Sequence, residues 1–238
     1  AKLKEKLVLA KKSGNLPKVV IPVHLCGQPT IQEEIYNLAK EYNFKIIEDA
    51  SHSIGARRYE EPVGSCKWSD ITVFSFHPVK MITTGEGGMA CTNKKNLAKK
   101  MNMLRSHGIT REIDLLKIND KPEYYYEQHD LGFNYRMTDI HAALGISQLK
   151  KLDKFILKRN DIAKIYDVEL ASLPINTPYV DKNNFSSFHL YVIKLDNEFS
   201  KYKSRDQVYK ELLSKGIGVN LHYLAVHLHP YYKNLGFA

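Results

Sequence analysis

The chain has 238 residues, of which 43% are hydrophobic and 26% are charged, a composition typical of a globular protein rather than a disordered one. No apolar run approaches the roughly 18 residues of a membrane helix, and the lysine-rich opening lacks the apolar stretch of a signal peptide. We therefore predict a cytoplasmic protein with no membrane partner. The three cysteines are scattered without CxxC spacing, which suggests neither a disulfide framework nor a zinc knuckle.

The formal net charge is +9, from 35 basic and 26 acidic side chains, so a nucleic-acid partner has to be considered. The lysines lie mostly on predicted helix faces, without the aromatic interleaving of a single-strand binder. We interpret them as solvated faces and predict no nucleic-acid partner. A basic surface would also suit an anionic small substrate such as a nucleotide diphosphate.

The first part of the chain predicts one βαβ unit. A helix over residues 1–13, which looks cut at its start, precedes an apolar strand at 19–24. Thr30 and Glu33 have the spacing of a capping box, and apolar residues then recur at helical spacing. A strand at 44–48 follows. Strand, helix and strand in this order predict a parallel sheet.

The remaining elements predict a large domain at residues 1–157 and a small C-terminal α+β domain at 158–238. Within the large domain, a polar and aromatic excursion at 106–137 has little periodicity, and excursions of this length are usually functional or disordered. The other predicted elements are strands at 71–76, 89–92 and 188–195, helices at 96–105, 139–151 and 155–170, a capping box from Ser204 to Gln207, and a β segment at 218–222.

Asp49 ends the second predicted strand, within the segment Glu48-Asp49-Ala50-Ser51-His52. Ligands of open α/β sheets collect at the carboxyl ends of strands. A carboxylate at this place suits a ribose hydroxyl, a metal ion or a protonated pyridine nitrogen, and it equally suits a structural cap on the next turn.

Lys80 follows a hydrophobic strand in a loop that ends in glycines. Desolvation in such a loop would lower the pKa of the amine and leave a nucleophile suited to Schiff-base chemistry. A surface ion pair is the plainer alternative. A Walker-type phosphate loop is excluded, because the order GxxxxGK[ST] is absent.

Four segments in this order, EDASHSIGA, SFHPVKMITTGEGG, LGFNYRMTDIHAALGISQL and KGIGVNLHY, resemble the DegT/DnrJ/EryC1 family of sugar aminotransferases. The resemblance spans nearly the whole chain. It implies an α/β fold of the fold-type-I aminotransferases, with a large, mostly parallel-sheet domain, a small C-terminal domain, and active sites at a homodimer interface. It also implies that this chain is incomplete at both ends.

The resemblance implies roles around the cofactor pyridoxal 5′-phosphate. Lys80 would hold it as a Schiff base and then move protons. Asp49 would keep its pyridine nitrogen protonated, and His52 would reach its phenolic oxygen. Ser51 would pack on its ring, and Ser75 would bind its phosphate.

Further roles implied by the resemblance concern the second subunit and the substrate. Asn134 would reach the phosphate site of the partner subunit. Arg136 would anchor a substrate anion, although an interface salt bridge suits it equally. His222, Tyr223 and His229 would lie near the nucleotide sugar, in a stretch where Ala225 replaces the family's usual proline. We predict no metal site among these histidines.

The reaction implied is transfer of an amino group from glutamate to the keto group of a nucleotide-linked 4-keto sugar. Family members that remove a sugar hydroxyl carry histidine in place of Lys80, so the lysine favours transamination. The runs IPVHLCGQP and RSHGITRE narrow the resemblance to members acting on UDP-linked 4-keto-6-deoxy sugars. Three alternatives remain: a different keto sugar, a non-catalytic sensor of the same fold that binds the cofactor, and a nucleotide-binding α/β domain.

Overall fold

The computed structural model describes residues 1–118 and 122–237. Their contacts divide the chain into two compact units. The first consists of Ala1–Glu169 and Pro178–Val192, and the second consists of Leu170–Thr177 and the residues from Ile193 onward. The domain boundary predicted after residue 157 falls inside a helix, Leu152–Glu169, that the contacts assign wholly to the first unit.

The helices and strands are mostly short. The helices are α1 (Lys2–Lys12), α2 (Gln32–Tyr42), α3 (Lys95–Arg105), α4 (Asp139–Leu149), α5 (Leu152–Glu169), α6 (Arg205–Ser214) and α7 (Pro230–Asn234). The strands are β1 (Val19–Val20), β2 (Lys45–Asp49), β3 (Arg57–Arg58), β4 (Glu61–Pro62), β5 (Ile71–Ser75), β6 (Gly88–Cys91), β7 (Ile109–Thr110), β8 (Glu127–Gln128), β9 (Ile175–Asn176), β10 (Asn184–Phe185) and β11 (Lys194–Leu195). No helix in these described ranges is long and apolar enough to cross a membrane.

A four-stranded sheet in the order β1-β2-β5-β6 organises the first unit. The first three strands are parallel, and β6 pairs with β5 in the antiparallel direction. The predicted βαβ unit of β1, α2 and β2 is therefore confirmed. Because the parallel strands end at the same edge, the residues that follow β2 and β5 are brought together.

Two apolar clusters hold this sheet. Leu7 of α1 packs with Ala39 and Tyr42 of α2 and with Phe44 and Ile46 of β2. The second cluster joins β5, α5 and the loop after β5, and its buried members are Ala50, Ala56, Val63, Phe74, Phe76, Met81, Ile82, Leu152 and Ile156. Each large apolar side chain buried in this way contributes about 1.5–3 kcal/mol.

The first predicted capping box is wrong, and the second is confirmed. The N-cap of α2 is Ile31, without a side-chain cap. The backbone N–H of Thr30 instead donates to Nδ1 of the buried His24 at 3.0 Å, so the chain is held out of helical geometry until Gln32. At α6, Ser204 and Gln207 form the reciprocal capping pair.

Two β segments predicted in the C-terminal half are also corrected. Only Lys194–Leu195 of the predicted strand at 188–195 is a strand, paired with β9. The guanidinium of Arg159 binds the carbonyls of Phe188 and His189, at 3.1 Å each, which removes them as ladder acceptors. Residues 218–222 form no strand with the described residues.

Gly27 permits a close approach between two segments of the first unit that are distant in sequence. It has φ +101°, and a Cβ at this position would lie 2.7 Å from Phe188 N and 2.9 Å from His189 N. We expect Gly27→Ala to destabilise the protein by about 3 kcal/mol, combining left-handed backbone strain with overpacking. The corresponding fall in Tm is roughly 6–12 °C.

Gly14 provides the matched control for this substitution. It also has a positive φ, +72°, but no atom lies within 4 Å of the place that an alanine methyl group would occupy. Gly14→Ala should therefore cost only about 1 kcal/mol. Equal losses for the two variants in thermal unfolding would show that the contact with residues 188–189 is unimportant.

Glu127 of β8 organises the excursion at 106–137. Its carboxylate binds the His129 ring at 2.6 Å and accepts the backbone N–H groups of Lys117 and Ile118. These bonds, led by the one from His129, lower the pKa of Glu127 from 4.5 to about 2. The ionised carboxylate is therefore the form that stabilises this segment.

A lowered pKa fixes the sign of the pH dependence. The contribution of Glu127 is complete above its unfolded pKa of 4.5 and is lost as the pH falls toward about 2. We expect Glu127→Gln to lower the free energy of unfolding in urea at pH 7, with the deficit shrinking below pH 4.5. The exposed Glu60→Gln should leave this profile unchanged, and a deficit independent of pH would contradict the assignment.

Candidate active site

Asp49 ends β2, opposite Val73 of β5. Its backbone N–H donates to Pro22 O at 2.9 Å, and its carbonyl accepts the N–H of His24 at 3.0 Å. Carboxylate Oδ1 accepts the N–H of Ser51 at 3.0 Å. The capping contact considered as an alternative role for Asp49 is therefore present, and it fixes the orientation of the half-buried carboxylate at the strand end.

His52 lies buried three residues beyond Asp49. Its Nδ1 accepts the backbone N–H of Cys26 at 3.3 Å, and its carbonyl accepts the hydroxyl of Ser187 at 3.1 Å. The ring also packs against His189 with centroids 4.4 Å apart. Because Nδ1 is an acceptor, Nε2 carries the hydrogen and is the nitrogen that can donate to an anionic oxygen.

The loop after β5 closes on itself through the backbone of Phe76. Phe76 N–H donates to Gly87 O at 2.8 Å, and Phe76 O accepts both Thr84 N–H at 3.1 Å and the Thr83 hydroxyl at 3.0 Å. Cys91 and its neighbours in β6 continue the chain back beside β5. The loop is thus a defined structure rather than a loose connection.

Lys80 lies within this loop, directly before the buried Met81 and Ile82. Its backbone N–H donates to His77 O at 2.9 Å, which forms a tight turn. The side chain is half-buried, and its amine makes no hydrogen bond or ion pair with residues 1–118 or 122–237. The surface ion pair considered as an alternative for Lys80 is therefore not formed by the described chain.

Two serines and one glycine complete this edge of the sheet. Ser75 is the last residue of β5, and its hydroxyl accepts the N–H of His77 at 3.5 Å. Ser51 is half-buried in the turn after Asp49. Gly145 brings α4 against the loop, because a Cβ there would meet Thr84 Cγ2 at 2.7 Å.

Asn134 and Arg136 lie on the exposed part of the excursion. Asn134 forms an antiparallel bridge with Ser106. Its neighbours Phe133 and Tyr135 stack with centroids 4.7 Å apart while remaining 53% and 71% exposed. The segment therefore presents polar and aromatic side chains to its surroundings.

The three remaining predicted residues belong to the second unit. The half-buried His222 packs against Tyr223 with ring centroids 4.2 Å apart, and Tyr223 and His229 are exposed. Across the residues that the structure describes, no group of three or more His, Cys, Asp or Glu side chains is arranged to hold a metal ion.

Sequence reasoning missed a buried polar cluster directly behind Asp49. Glu48 is 1% exposed and binds Gln32 of α2, the Thr72 hydroxyl at 2.7 Å and the Ser69 hydroxyl at 3.1 Å. Nε2 of His24 lies 3.7 Å from Glu48 Oε1. The available signal was a glutamate in an apolar strand and a histidine at the end of another.

The Glu48 carboxylate remains ionised in this cluster. Burial by itself raises its pKa, but the facing His24 ring and the hydrogen bonds from Gln32 and Thr72 outweigh burial, so the pKa of Glu48 lies below its ordinary value. Hydrogen bonds from Gln32, Ser69 and Thr72 satisfy this buried carboxylate inside the first unit.

The donor set at this edge fits pyridoxal 5′-phosphate. Lys80 offers a primary amine for the aldehyde, Asp49 a carboxylate for the pyridinium nitrogen, and His52 an Nε2–H for the phenolate oxygen. Asp49 ends β2, His52 follows it, and Lys80 follows the adjacent parallel strand β5, all within the first unit. The residues present are therefore compatible with this cofactor.

Comparison with known sequences identifies the family. The model of the DegT/DnrJ/EryC1/StrS aminotransferase family matches residues 4–238. The UDP-4-amino-4,6-dideoxy-N-acetyl-β-L-altrosamine transaminase of Campylobacter jejuni is 41% identical over 228 residues, which make up 95% of this chain and 57% of that protein. The chain thus spans less than two thirds of this relative's length.

Solved structures agree with this match. Helicobacter pylori PseC, an aminotransferase involved in the biosynthesis of pseudoaminic acid, superposes with a TM-score of 0.84 at 30% identity, covering 97% of this chain and 59% of that one. The PLP-form of Spr1654 from Streptococcus pneumoniae gives a TM-score of 0.77 at 30% identity, with 92% and 58% covered.

The predicted aminotransferase fold and the predicted cofactor are thereby confirmed. Sequence and structure lead to one assignment: this chain belongs to the DegT/DnrJ/EryC1/StrS aminotransferase family, whose cofactor is pyridoxal 5′-phosphate.

Proposed function

We propose that the protein transfers an amino group from glutamate to the C4 keto group of a UDP-linked 4-keto-6-deoxy sugar in the cytoplasm. The reaction would belong to amino-sugar biosynthesis of the pseudaminic acid type. The observation that carries this proposal is that Lys80 follows β5, the strand paired with the end of β2 at Asp49, in a chain 41% identical to an altrosamine transaminase. PseC, named for the same biosynthesis, supports the choice of sugar.

Lys80, Asp49 and His52 each have a defined role in this proposal. Bound pyridoxal 5′-phosphate supplies the electron sink that stabilises negative charge at the substrate carbon. Lys80 holds the cofactor through its amine and afterwards moves a proton with the same nitrogen. Asp49 holds the pyridine nitrogen in its protonated form, and His52 Nε2–H orients the phenolic oxygen.

Ser51 and Ser75 would define the position of the cofactor at the sheet edge. Ser51 is small enough to pack on the ring, and it is held by the Asp49 carboxylate. Ser75, at the end of β5, has a hydroxyl for the phosphate. Both serines lie where parallel strands end, as expected for ligand contacts in an α/β sheet.

The exposed excursion supports a homodimer. Leu131, Phe133 and Tyr135 of the excursion are 86%, 53% and 71% exposed, and Ile140 at the start of α4 is 82% exposed, an apolar surface that association with a second copy would cover. Asn134 lies among these residues, and the resemblance to the family implies that its amide would reach the phosphate site of the second copy. Association would thus complete the cofactor site.

The nucleotide sugar would be bound by cationic and aromatic side chains. Arg136 would pair with an anionic group, and His222, Tyr223 and His229 would contact the nucleotide sugar. The formal net charge of +9 favours an anionic substrate.

The role of Lys80 is tested by trapping the cofactor. Purified protein with pyridoxal 5′-phosphate should absorb at roughly 400 to 430 nm, as lysine-bound cofactor does. Borohydride reduction should place a stable adduct on Lys80 in the mass spectrum. Lys80→Arg, which keeps the charge but forms no adduct, should abolish both signals, while the control Lys45→Arg at the start of β2 should keep them.

The same preparation distinguishes the alternatives for the function. Glutamate should bleach the visible band, and only the correct UDP-linked 4-keto sugar should restore it with formation of an amino sugar. Turnover of a different keto sugar would change the proposed substrate but leave the proposed transamination unchanged. An adduct on Lys80 with no turnover on any donor and acceptor would favour the sensor, and an adduct elsewhere would falsify the mechanism.

Asp49→Asn separates the charge of Asp49 from its local structural contact. The asparagine oxygen can still accept the N–H of Ser51, so the turn should persist. Loss of the carboxylate charge should lower kcat on the order of 10²-fold, the scale of a preorganised electrostatic contact. Thermal unfolding of the cofactor-free protein should be nearly unchanged, and a large fall in Tm with normal kcat would contradict this role.

A further inference from the structure

The buried cluster of Glu48 and His24 lies behind the candidate site and has no part in the cofactor contacts proposed above. Glu48 precedes Asp49 in β2, so the two side chains point to opposite faces of the sheet. His24 is fully buried, with Nδ1 accepting the N–H of Thr30, so its hydrogen is on Nε2 and faces Glu48. The two side chains face each other inside the core at 3.7 Å, and Nε2 of His24 has no hydrogen-bond partner among the described residues.

The backbone on both sides of Asp49 is bonded to neighbouring segments, one of which carries His24 of the cluster. The segment with Pro22 and His24 exchanges two backbone hydrogen bonds with Asp49, at 2.9 and 3.0 Å. The side chain of His24 in this segment faces Glu48, the residue before Asp49. On the other side, Ala50 N–H donates to Val73 O at 2.8 Å. Asp49 is thereby held between two neighbouring parallel segments.

Stability alone does not explain a charge at this position. Phe44, directly before β2, and Ile46 and Glu48 within it share the alternating buried face and are 4%, 3% and 1% exposed, so an apolar residue would be expected at position 48. Well-packed apolar residues commonly stabilise a core as well as a buried ion pair or better. Directional bonds to Gln32 and Thr72, unlike apolar contacts, fix one orientation of the strand end.

We propose that His24 and Glu48 are positioning residues for Asp49, which hold the carboxyl end of β2 so that the Asp49 carboxylate meets the pyridine nitrogen of pyridoxal 5′-phosphate in a single orientation. This inference rests on the proposed function for the cofactor contact of Asp49. The orientation of the strand end itself is a property of the protein without cofactor, and it can be measured separately.

The test compares Glu48→Gln with Asp70→Asn. Both substitutions remove one carboxylate charge that is bonded at β2, but Asp70 accepts the N–H of Ile46 near the start of the strand, at 2.8 Å. In cofactor-free protein, Glu48→Gln should speed amide hydrogen exchange at Asp49 and Ala50 by about tenfold, the loss expected for one net hydrogen bond. Asp70→Asn should speed exchange at Ile46 and leave the strand end unchanged.

Cofactor binding provides the second readout. The dissociation constant of pyridoxal 5′-phosphate should rise by about tenfold for Glu48→Gln and less than about twofold for Asp70→Asn. His24→Asn, whose amide oxygen can still accept the N–H of Thr30, should resemble Glu48→Gln, and the double variant should add little. This non-additivity would show that the two side chains act as one unit.

The outcomes separate this inference from the proposed function. Equal effects of Glu48→Gln and Asp70→Asn on exchange at Asp49 would overturn the positioning role, because the cluster would then serve general stability. Additive effects of His24→Asn and Glu48→Gln would contradict the claim that the two side chains act as one unit. If the unchanged protein bound no cofactor, the proposed function would fail, while the exchange data would still decide whether the cluster orients the strand end.

Discussion

In the central sheet, Asp49 of β2 lies opposite Val73 of β5, and this parallel register determines where the groups of the candidate site stand. A shift of one residue would turn Asp49 to the face now occupied by Glu48. The register also sets the starting point of the loop that carries Lys80, since β5 ends two residues after Val73. Carboxylate, imidazole and amine are thus placed by one strand pairing.

Apolar packing and polar contacts have different roles at the carboxyl-end edge of the central sheet. Met81 and Ile82 anchor the chain directly after Lys80 in the same cluster as Ile156 of α5. Such burial stabilises the fold, but it is non-directional and does not fix the orientation of a side chain. Direction comes from hydrogen bonds, as at Phe76 in the loop and at Glu48 behind Asp49. The position of Lys80 is therefore fixed by the packing of the residues next to it in the chain, and not by bonds of its own amine.

Local patterns were sufficient for the regular elements around the site. Alternation and helical spacing predicted β2, β5 and α2, and the family motifs indicated Lys80, Asp49 and His52. They failed at Thr30, because a bond from its backbone N–H to the ring of His24, 6 positions earlier, overrides the capping pattern. They also missed the association of Glu48 with His24, since side chains paired through the tertiary fold leave no periodic signal. The strand predicted at 188–195 failed likewise, because Arg159 binds its carbonyls.

The return of residues 178–192 to the first unit has a consequence for biosynthesis. The Ser187 hydroxyl that binds His52 O comes 135 positions later in the chain. At synthesis rates of about 5–20 residues per second, His52 waits on the order of ten seconds for this partner to emerge from the ribosome. During that interval part of the first unit has not yet been synthesised. Contacts between residues so far apart in the sequence are also slow to form. The nascent chain therefore passes through a stage in which the side of His52 that later contacts Ser187 and His189 is uncovered.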